Sequence, residues 1–293
     1  MFPLGLPEID AALQGRRGGA PAHCLGLIGG TRASGRSSLL RLLALNLAAQ
    51  GQEVLLIPLD DKPQVVLTAF AAQGASVPQN LTIWDHAPLT PAALRRTLSA
   101  TPRISVVLID GADLMQLDED DPAAARGGSW PGSGKLLKHL SQISREQSVL
   151  LLAAANATRN ATPGQPLPVG SYFAASGREL QRCDLLFQIW RPDQDRNSAY
   201  AGNRPREADV FLRLVKNRYG PEALQPLALD LDSGAMRVSA GLAMEEIGKL
   251  AETELVPFQL SRPSGLAERR AQEGASPSTE RLTTAARAGT MRA

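Results

Sequence analysis

Short apolar runs alternate with amphipathic stretches along the first half of the chain. The runs lie at residues 24–29, 53–59, 81–85, 104–110 and 149–155. Between them, helical spacing of apolar residues predicts helices over about 37–50, 64–73, 91–99 and 134–146. Several runs are unbroken by polar residues, as is typical of strands covered by helices on both faces of a sheet. The pattern predicts an α/β fold with a mostly parallel, twisted sheet.

The second half of the chain has a different pattern of apolar and polar residues. Apolar runs at 183–190, 209–216 and 225–231 are separated by polar segments that leave no room for crossover helices. We therefore expect these runs to form antiparallel strands at one edge of the sheet. The long proline-containing segment Asn160 to Ala175 is predicted to be a functional loop.

The C-terminal part of the chain is poor in large apolar residues. It offers one weak helical pattern, Met244 to Glu254, and Arg262 to Ala293 cannot bury enough surface to offset the entropy of ordering. We therefore predict one domain over residues 1–240, followed at 241–293 by a weak helix and a disordered tail.

Composition narrows the class of protein. The 293 residues carry 31 Lys+Arg against 29 Asp+Glu, so a net charge of +2 neither demands nor excludes a nucleic-acid partner. The longest apolar runs fall far short of the roughly 20 residues that span a bilayer. Both cysteines, Cys24 and Cys183, lie inside apolar runs, which suits buried thiols in a reducing compartment. We expect a cytoplasmic protein with no membrane partner.

The segment from Gly30 to Ser37 matches the phosphate-loop pattern G-x-x-x-x-G-K-[ST] at every fixed position except the lysine, which is Arg36. A strand leads into the segment and an amphipathic helix leads out, so backbone N–H groups and a helix N-terminus would face phosphate oxygens. This predicts an ATP site. The predicted nucleotide-binding residues are Gly30, Thr31, Arg32, Ala33, Ser34, Gly35, Arg36, Ser37 and Ser38. The alternative is a glycine-rich turn without a ligand.

Three further side chains complete the predicted chemistry. Ser37 and Asp110, at the end of the run 104–110, are predicted to hold Mg²⁺, since ligands of open α/β sheets bind at the carboxyl ends of strands. Asp60 follows the run 53–59 and is predicted to activate water. Asp110 could equally cap a turn, and Asp60 could equally belong to a solvated turn.

Taken in order, these motifs resemble the C-terminal, RecA-like motor domain of DnaB-type replicative helicases over Leu4 to Val238. The matching segments are 4–13 (LGLPEIDAAL), 109–115 (IDGADLM), 135–140 (KLLKHL), 154–159 (AANATR), 175–184 (ASGRELQRCD) and 216–221 (KNRYGP). Asp60 falls where the family has a catalytic glutamate, and Asn156 falls where it has a sensor glutamine. Lys216 and Arg218 match the family's trans-acting Lys-x-Arg pair.

The resemblance implies an ATPase that uses Mg²⁺, acts on single-stranded DNA in replication, recombination or repair, and forms a homo-oligomeric ring, a hexamer in the family. Arg218 would then reach the γ-phosphate of a neighbouring subunit and stabilise the charge of the transition state. The acidic segment Asp118 to Asp121 would repel DNA and is expected to face away from it. We expect the family's helical N-terminal domain to have no counterpart in this chain.

Three departures from the family's pattern lie nearest the γ-phosphate. Lysine is replaced by Arg36, glutamate by Asp60 and glutamine by Asn156, and an arginine fork does not substitute for a compact ammonium. One alternative is therefore a hydrolysis-impaired, nucleotide-gated DNA-binding or structural module. Another is a RadA/Sms-like recombination ATPase, since KNRYG also resembles that family's K-N-R-F-G motif, although no four-cysteine zinc element precedes the motor in this sequence.

Overall fold

The computed structural model describes residues 1–13, 18–85, 88–118, 134–157, 161–166, 180–194 and 206–239. These residues contain a nine-stranded sheet with the order β3-β2-β4-β5-β1-β6-β7-β8-β9. The strands are β1 (Leu25–Gly30), β2 (Val54–Pro58), β3 (Leu81–Ile83), β4 (Val106–Asp110), β5 (Leu150–Asn156), β6 (Leu185–Trp190), β7 (Glu207–Asn217), β8 (Ala223–Asp230) and β9 (Met236–Val238). The predicted α/β class with a mostly parallel sheet is confirmed.

Six neighbouring strands, from β3 to β6 in the sheet order, run parallel. Their register aligns the carboxyl ends: Gly30 pairs with Asn156 and with Ile189, and Asp110 pairs with Pro58. Strands β1, β2, β4 and β6 are buried along their whole length, which explains their unbroken apolar sequences. The predicted site residues Gly30, Asp110 and Asn156, at the ends of three strands, therefore lie at one edge of the sheet.

The helices lie close to their predicted positions. The predicted helices are α2 (Arg36–Ala49), α3 (Pro63–Ala72), α4 (Pro91–Ala100) and α5 (Gly134–Glu146). A further short helix, α1 (Pro7–Ala12), was not predicted. Proline occupies the first turn of α3 and α4, where its missing N–H costs no hydrogen bond. Thr90 caps α4 by accepting from Ala93 N, and the carboxylate of Asp118 accepts from Ala92 N.

The C-terminal strands β7 and β8 are antiparallel, as predicted for this edge of the sheet, and a short antiparallel strand that was not predicted, β9, follows them. The prediction was wrong for β6, which runs parallel to β1 and lies inside the sheet between β1 and β7. The chain between β5 and β6, residues 157–184, is long enough for a crossover, and the unbroken burial of β6 is that of an interior strand.

Apolar residues form two large clusters among the described residues. One includes Leu4, Ile28, Leu40 and Phe70, and the other includes Leu94, Leu140 and other α4 and α5 side chains. Residues that alternate along β4 belong to different clusters, because successive strand side chains point to opposite faces. None of the helices in the described part of the chain is long and apolar enough to cross a membrane.

Several sequence predictions fall outside the described residues. These are the weak helix at 244–254, the tail at 262–293, residues 119–121 of the acidic segment, Arg159, and all of the 160–175 loop except 161–166. The division into a domain at 1–240 and a tail at 241–293 stays a prediction.

Candidate nucleotide site

The predicted phosphate loop joins β1 to α2 and has a backbone that requires small residues. Gly35 has a φ of +97°, and Ala33 has a φ of +58°, so both lie in the left-handed region. A side chain on Gly30 would come within 2.8 Å of the Ile189 carbonyl oxygen. Glycine is therefore needed at both fixed positions of the pattern, at Gly30 for space and at Gly35 for conformation.

Helix α2 starts at Arg36 without a side-chain cap. Its N-cap residue, Gly35, has no polar side chain, and the first backbone hydrogen bond of the helix runs from Leu39 N to Gly35 O at 2.8 Å. The N–H groups of the first turn have no partner within the helix. Together with the helix dipole, they favour an anion at this end of α2.

Six buried polar atoms in and beside this loop have no hydrogen-bond partner within the described part of the chain. Two of them, Gln194 Oε1 and Arg41 Nε, belong to side chains that are bonded to the loop or to the start of α2. The other four belong to the loop itself and to the end of β4. They are Thr31 Oγ1, Ser34 Oγ, Arg36 Nη1 and Asp110 Oδ1. Buried polar atoms in folded proteins are nearly always paired, so each exception calls for a reason. Three of the four can donate a hydrogen bond, and the fourth is a carboxylate oxygen. This set matches the needs of a phosphate group with a bound cation.

Asp110 ends β4 and is only 5% exposed. It forms a hydrogen bond with the Ser37 side chain, so the two predicted Mg²⁺ ligands are in contact. Burial raises the pKa of Asp110 above its ordinary value, while Ser37 and Arg36 oppose the shift. The structure therefore brings together the pair expected to hold a cation.

Arg36 lies inside the site and not on its surface. It is 8% exposed, and its Nη2 donates to Asn156 Oδ1 at 2.5 Å. Burial lowers the pKa of the guanidinium, and the charges of Asp110, Asp113 and Asp60 counter that effect. Arg36 thus carries its charge among three carboxylates at the carboxyl edge of the sheet.

Asp60 follows β2 and is exposed beside the turn after β4. Its backbone N is 3.0 Å from where a side chain on Gly111 would begin, and Gly111 has a φ of +76°. Leu59 N donates to Asp110 O at 2.8 Å, which joins the two strand ends. Asp60 therefore lies beside Asp110, at the same edge of the sheet.

Two side chains after β6 brace the loop, and the sequence reasoning missed both. Arg191 Nη1 donates to Ala33 O and Gln194 Nε2 donates to Arg32 O, each at 3.1 Å. Asp193 holds Arg191 through two hydrogen bonds of 3.0 and 2.6 Å. The Arg-x-Asp pair directly after a buried strand was the available signal.

A cavity of about 250 Å³ opens beside the loop and the start of α2. Its far wall is made by Arg191, by the end of β8 and by the connection between β8 and β9. Besides Arg191, the residues of that wall are Leu229 and Asp230, the last two of β8, and Leu231 and Gly234 in the connection that follows. The cavity mixes apolar and polar walls, as small-molecule sites commonly do.

Lys216 and Arg218 lie at the opposite edge of the sheet. Arg218 Nε pairs with Asp184 Oδ1 at 3.2 Å, and Asp184 N donates to Leu25 O at the start of β1. The phosphate loop begins where β1 ends, about 16 Å away at roughly 3.3 Å per residue. Neither side chain belongs to this chain's own phosphate site.

Lys216 is tied to its own chain. Its ammonium donates to the carbonyl oxygens of Leu180, Gln181 and Cys183 at 3.0, 3.3 and 2.7 Å. A lysine ammonium has three donors, and all three are engaged. Arg218 is also anchored, since its Nη2 donates to Gln181 O at 3.0 Å.

The chain is similar to known proteins in three-dimensional structure, but neither a family model nor a curated sequence matches it. Among solved structures, a DnaB-like replicative helicase, described together with its interactions with primase, superimposes with a TM-score of 0.65 and 18% identity. The match covers 80% of this chain and 62% of that helicase, so the chain corresponds to part of its length.

A second solved structure agrees with the first. It is an ATPase domain that superimposes with a TM-score of 0.64 and 17% identity, over 81% of this chain and 91% of that one. The fold is that of a DnaB-like helicase ATPase domain. The predicted resemblance to a DnaB-like helicase is confirmed at the level of the fold.

Proposed function

We propose that this chain is a DnaB-helicase-like motor domain that binds ATP with Mg²⁺ at the carboxyl edge of its sheet and acts on single-stranded DNA as an oligomeric ring. The observation that carries the nucleotide site is the set of four buried polar atoms, unpaired within the described residues, around a glycine loop at a helix N-terminus. The DNA substrate and the ring are supported by the sequence resemblance and the likeness of fold.

The side chains that are present fit a nucleoside triphosphate. Thr31 and Ser34 each offer a buried hydroxyl, Arg36 offers a buried N–H, and the first turn of α2 offers backbone N–H groups. These donors suit phosphate oxygens. The cavity of about 250 Å³ beside them is the proposed place of the nucleoside, between Arg191 and the β8–β9 connection.

Ser37 and Asp110 fit Mg²⁺, which prefers oxygen ligands and keeps several waters. When bound, the cation neutralises charge on the phosphates. Asp110 contributes a carboxylate oxygen that is buried and has no partner among the described residues. We propose that Asp60, beside Asp110 and exposed, accepts the proton of the attacking water.

The position of Arg218 supports action on a neighbouring subunit. It lies about a strand's length from its own phosphate loop and is 48% exposed, so it is accessible to another copy. An arginine that stabilises the γ-phosphate across a boundary makes hydrolysis depend on assembly. We propose that Lys216 supports Arg218 from within the same chain.

A hydrolysis-impaired binding module is the second candidate, and one contact favours it. Two of the three residues that depart from the family's pattern, Arg36 and Asn156, are hydrogen-bonded to each other. A guanidinium held by Asn156 has one end left for a phosphate, whereas a lysine ammonium would have three rotating donors. This module would bind ATP without turning it over.

The test combines ATP titration with a turnover assay, each with and without single-stranded DNA. The proposal expects saturable, Mg²⁺-dependent ATP binding and turnover that single-stranded DNA stimulates. In Asp110→Asn, the Mg²⁺ dependence of binding and the turnover should both be lost. Binding without turnover in any condition supports the second candidate. An Arg36→Lys protein then tests whether the altered loop is the cause, because lysine should raise turnover if it is. Absence of ATP binding by the unaltered protein contradicts both candidates.

A further inference from the structure

Asp113 makes two contacts with one residue of the proposed nucleotide site. Its Oδ1 accepts from the backbone N of Asn156 at 3.2 Å, and its Oδ2 accepts from Asn156 Nδ2 at 3.0 Å. Asn156 in turn uses its Oδ1 to accept from Arg36 at 2.5 Å. The three side chains form a continuous chain of hydrogen bonds from the turn after β4, across the end of β5, to the phosphate loop.

This arrangement allows only one orientation of the Asn156 amide. If the amide were rotated by half a turn, its oxygen would face the Asp113 carboxylate and its NH₂ would face the Arg36 guanidinium. Both contacts would then join like groups, acceptor to acceptor and donor to donor. The carboxylate of Asp113 therefore determines that Asn156 presents an oxygen to the phosphate loop.

The orientation of Asn156 determines where Arg36 points. Arg36 Nη2 is bonded to Asn156, and Arg36 Nη1 is buried without a partner among the residues that the structure describes. The guanidinium is planar, so fixing one N–H direction fixes the others. The guanidinium of Arg36 is planar, unlike the lysine ammonium that it replaces. The hydrogen bond to Asn156 therefore helps to direct it toward a phosphate.

The local backbone brings Asp113 to this position. Gly111 has a φ of +76°, and residues Ala112–Leu114 form a single 3₁₀ turn directly after β4. That reversal places the Asp113 carboxylate beside the last residue of the neighbouring strand β5. In the sequence, Asp113 is one of several acids after a strand, and nothing marks it as different.

We propose that Asp113 is a positioning residue that acts through Asn156 to aim Arg36 at the terminal phosphate of the nucleotide. The inference rests on the proposed ATP site and adds a residue to it. Arg36 stands where a phosphate loop has the lysine that reaches the β- and γ-phosphates, so Asp113 should matter more for ATP than for ADP.

The experiment measures the dissociation constants of Mg-ATP and Mg-ADP for four proteins: unaltered, Asp113→Asn, Asn156→Ala and the double variant. A matched control is Glu53→Gln, which removes one negative charge at the other end of β2, where Glu53 pairs with Arg103 at 3.6 Å. Thermal melting of each protein verifies that it is folded.

We expect Asp113→Asn to weaken ATP binding about tenfold, since a hydrogen bond to a charged group is lost, and to weaken ADP binding less, so that the preference for ATP over ADP falls. Asn156→Ala should do the same, and the double variant should show no further loss. Glu53→Gln should leave both constants unchanged.

Three results would overturn the inference while leaving the ATP site intact. An unchanged ATP preference in Asp113→Asn would show that Asp113 does not position Arg36. An equal effect of Asp113→Asn in the presence and absence of the Asn156 side chain would show that its charge acts directly. Equal weakening of ATP and ADP would indicate a structural role only. If the unaltered protein binds neither nucleotide, the proposed function itself fails, and the inference fails with it.

Discussion

Polar side chains at the two edges of the parallel sheet differ in how fully they are hydrogen-bonded. At the carboxyl edge, Thr31, Ser34, Arg36 and Asp110 each keep a buried polar atom without a partner in the described part of the chain. At the amino edge, the Lys216 ammonium is fully bonded to three carbonyl oxygens of its own chain. Both edges carry charged groups, yet hydrogen-bonding capacity stays open around the phosphate loop and is used up around Lys216.

The difference indicates which edge is prepared for a ligand. Leaving a buried polar group unpaired costs about 1–3 kcal/mol, so four such atoms at one place cost stability unless something else satisfies them. At the amino edge, Arg218 is partly exposed and is anchored by the buried Asp184. That edge suits a group held in a fixed direction for a neighbour, and the carboxyl edge suits a bound nucleotide.

The largest expected effect concerns Arg218. Arg218→Ala should lower single-stranded-DNA-stimulated ATP turnover about a thousandfold, because an arginine supplied in trans stabilises charge in the transition state. ATP affinity should change much less, since the proposed contact stabilises the transition state more than the bound nucleotide. Steady-state turnover and nucleotide titration measure the two quantities.

A matched control lies on β7, the strand that leads to Arg218. Arg213 pairs with the exposed Glu222 at 3.0 Å, and Arg213→Ala should leave turnover within about twofold, since exposed ion pairs contribute little. Equal losses in both variants would mean that this part of the sheet is generally sensitive to substitution and would remove the special role of Arg218.

The next effect concerns pH at the carboxyl edge. Burial raises the pKa of Asp110 above its usual 3.8, and Mg²⁺ requires the ionised carboxylate. Mg²⁺-dependent ATP affinity should therefore fall as the pH is lowered through that raised pKa, by about tenfold for each pH unit below it. Titrations at a series of pH values, with and without Mg²⁺, measure it.

The Asp110→Asn protein is the reference for this pH series. It cannot ionise at that position, so subtracting its curve removes the titration of the nucleotide itself. The Mg²⁺ dependence should be absent in the variant at every pH. If the variant shows the same Mg²⁺ and pH dependence as the unaltered protein, Asp110 is not the cation's ligand.

The smallest expected effect concerns Lys216, at the amino edge of the sheet. Lys216→Met keeps much of the apolar stem but removes three hydrogen bonds to carbonyl oxygens, and it should lower the free energy of unfolding by about 1–2 kcal/mol. Lys138→Met, at an exposed position of α5, should change it by less than about 0.5 kcal/mol. Denaturant titration measures both, and equal stabilities would show that water replaces the lysine contacts.

Much of the fold was predictable because burial leaves a direct trace in the sequence. The unbroken apolar runs of β1, β2, β4 and β5 and the helical spacing of α5 led to correct elements. The orientation of β6 was not predictable from its own residues. A buried parallel strand and a buried antiparallel strand have similar compositions, and the path of the preceding chain determines which one forms.

The residues of the candidate site also divide into those that the sequence could predict and those that it could not. The glycine loop and Asp110 follow a spacing that the proposed chemistry requires, and the structure brings Ser37 and Asp110 into contact. Asp113, Arg191 and Gln194 act through contacts with residues distant in sequence, and such pairs have no spacing to detect. Lys216 was expected to act in trans, and its three intrachain bonds add a structural role that the motif did not reveal.

In the proposed mechanism the two edges work together, the carboxyl edge of one copy with the amino edge of the next. The most direct measurement mixes the Arg218→Ala protein with the Asp110→Asn protein and follows ATP turnover as the ratio varies. Mixed assemblies contain sites with an intact Asp110 on one side and an intact Arg218 on the other, so turnover should exceed that of either protein alone. Turnover that stays at the weighted mean of the two, in mixtures shown by light scattering to form joint assemblies, would contradict the account.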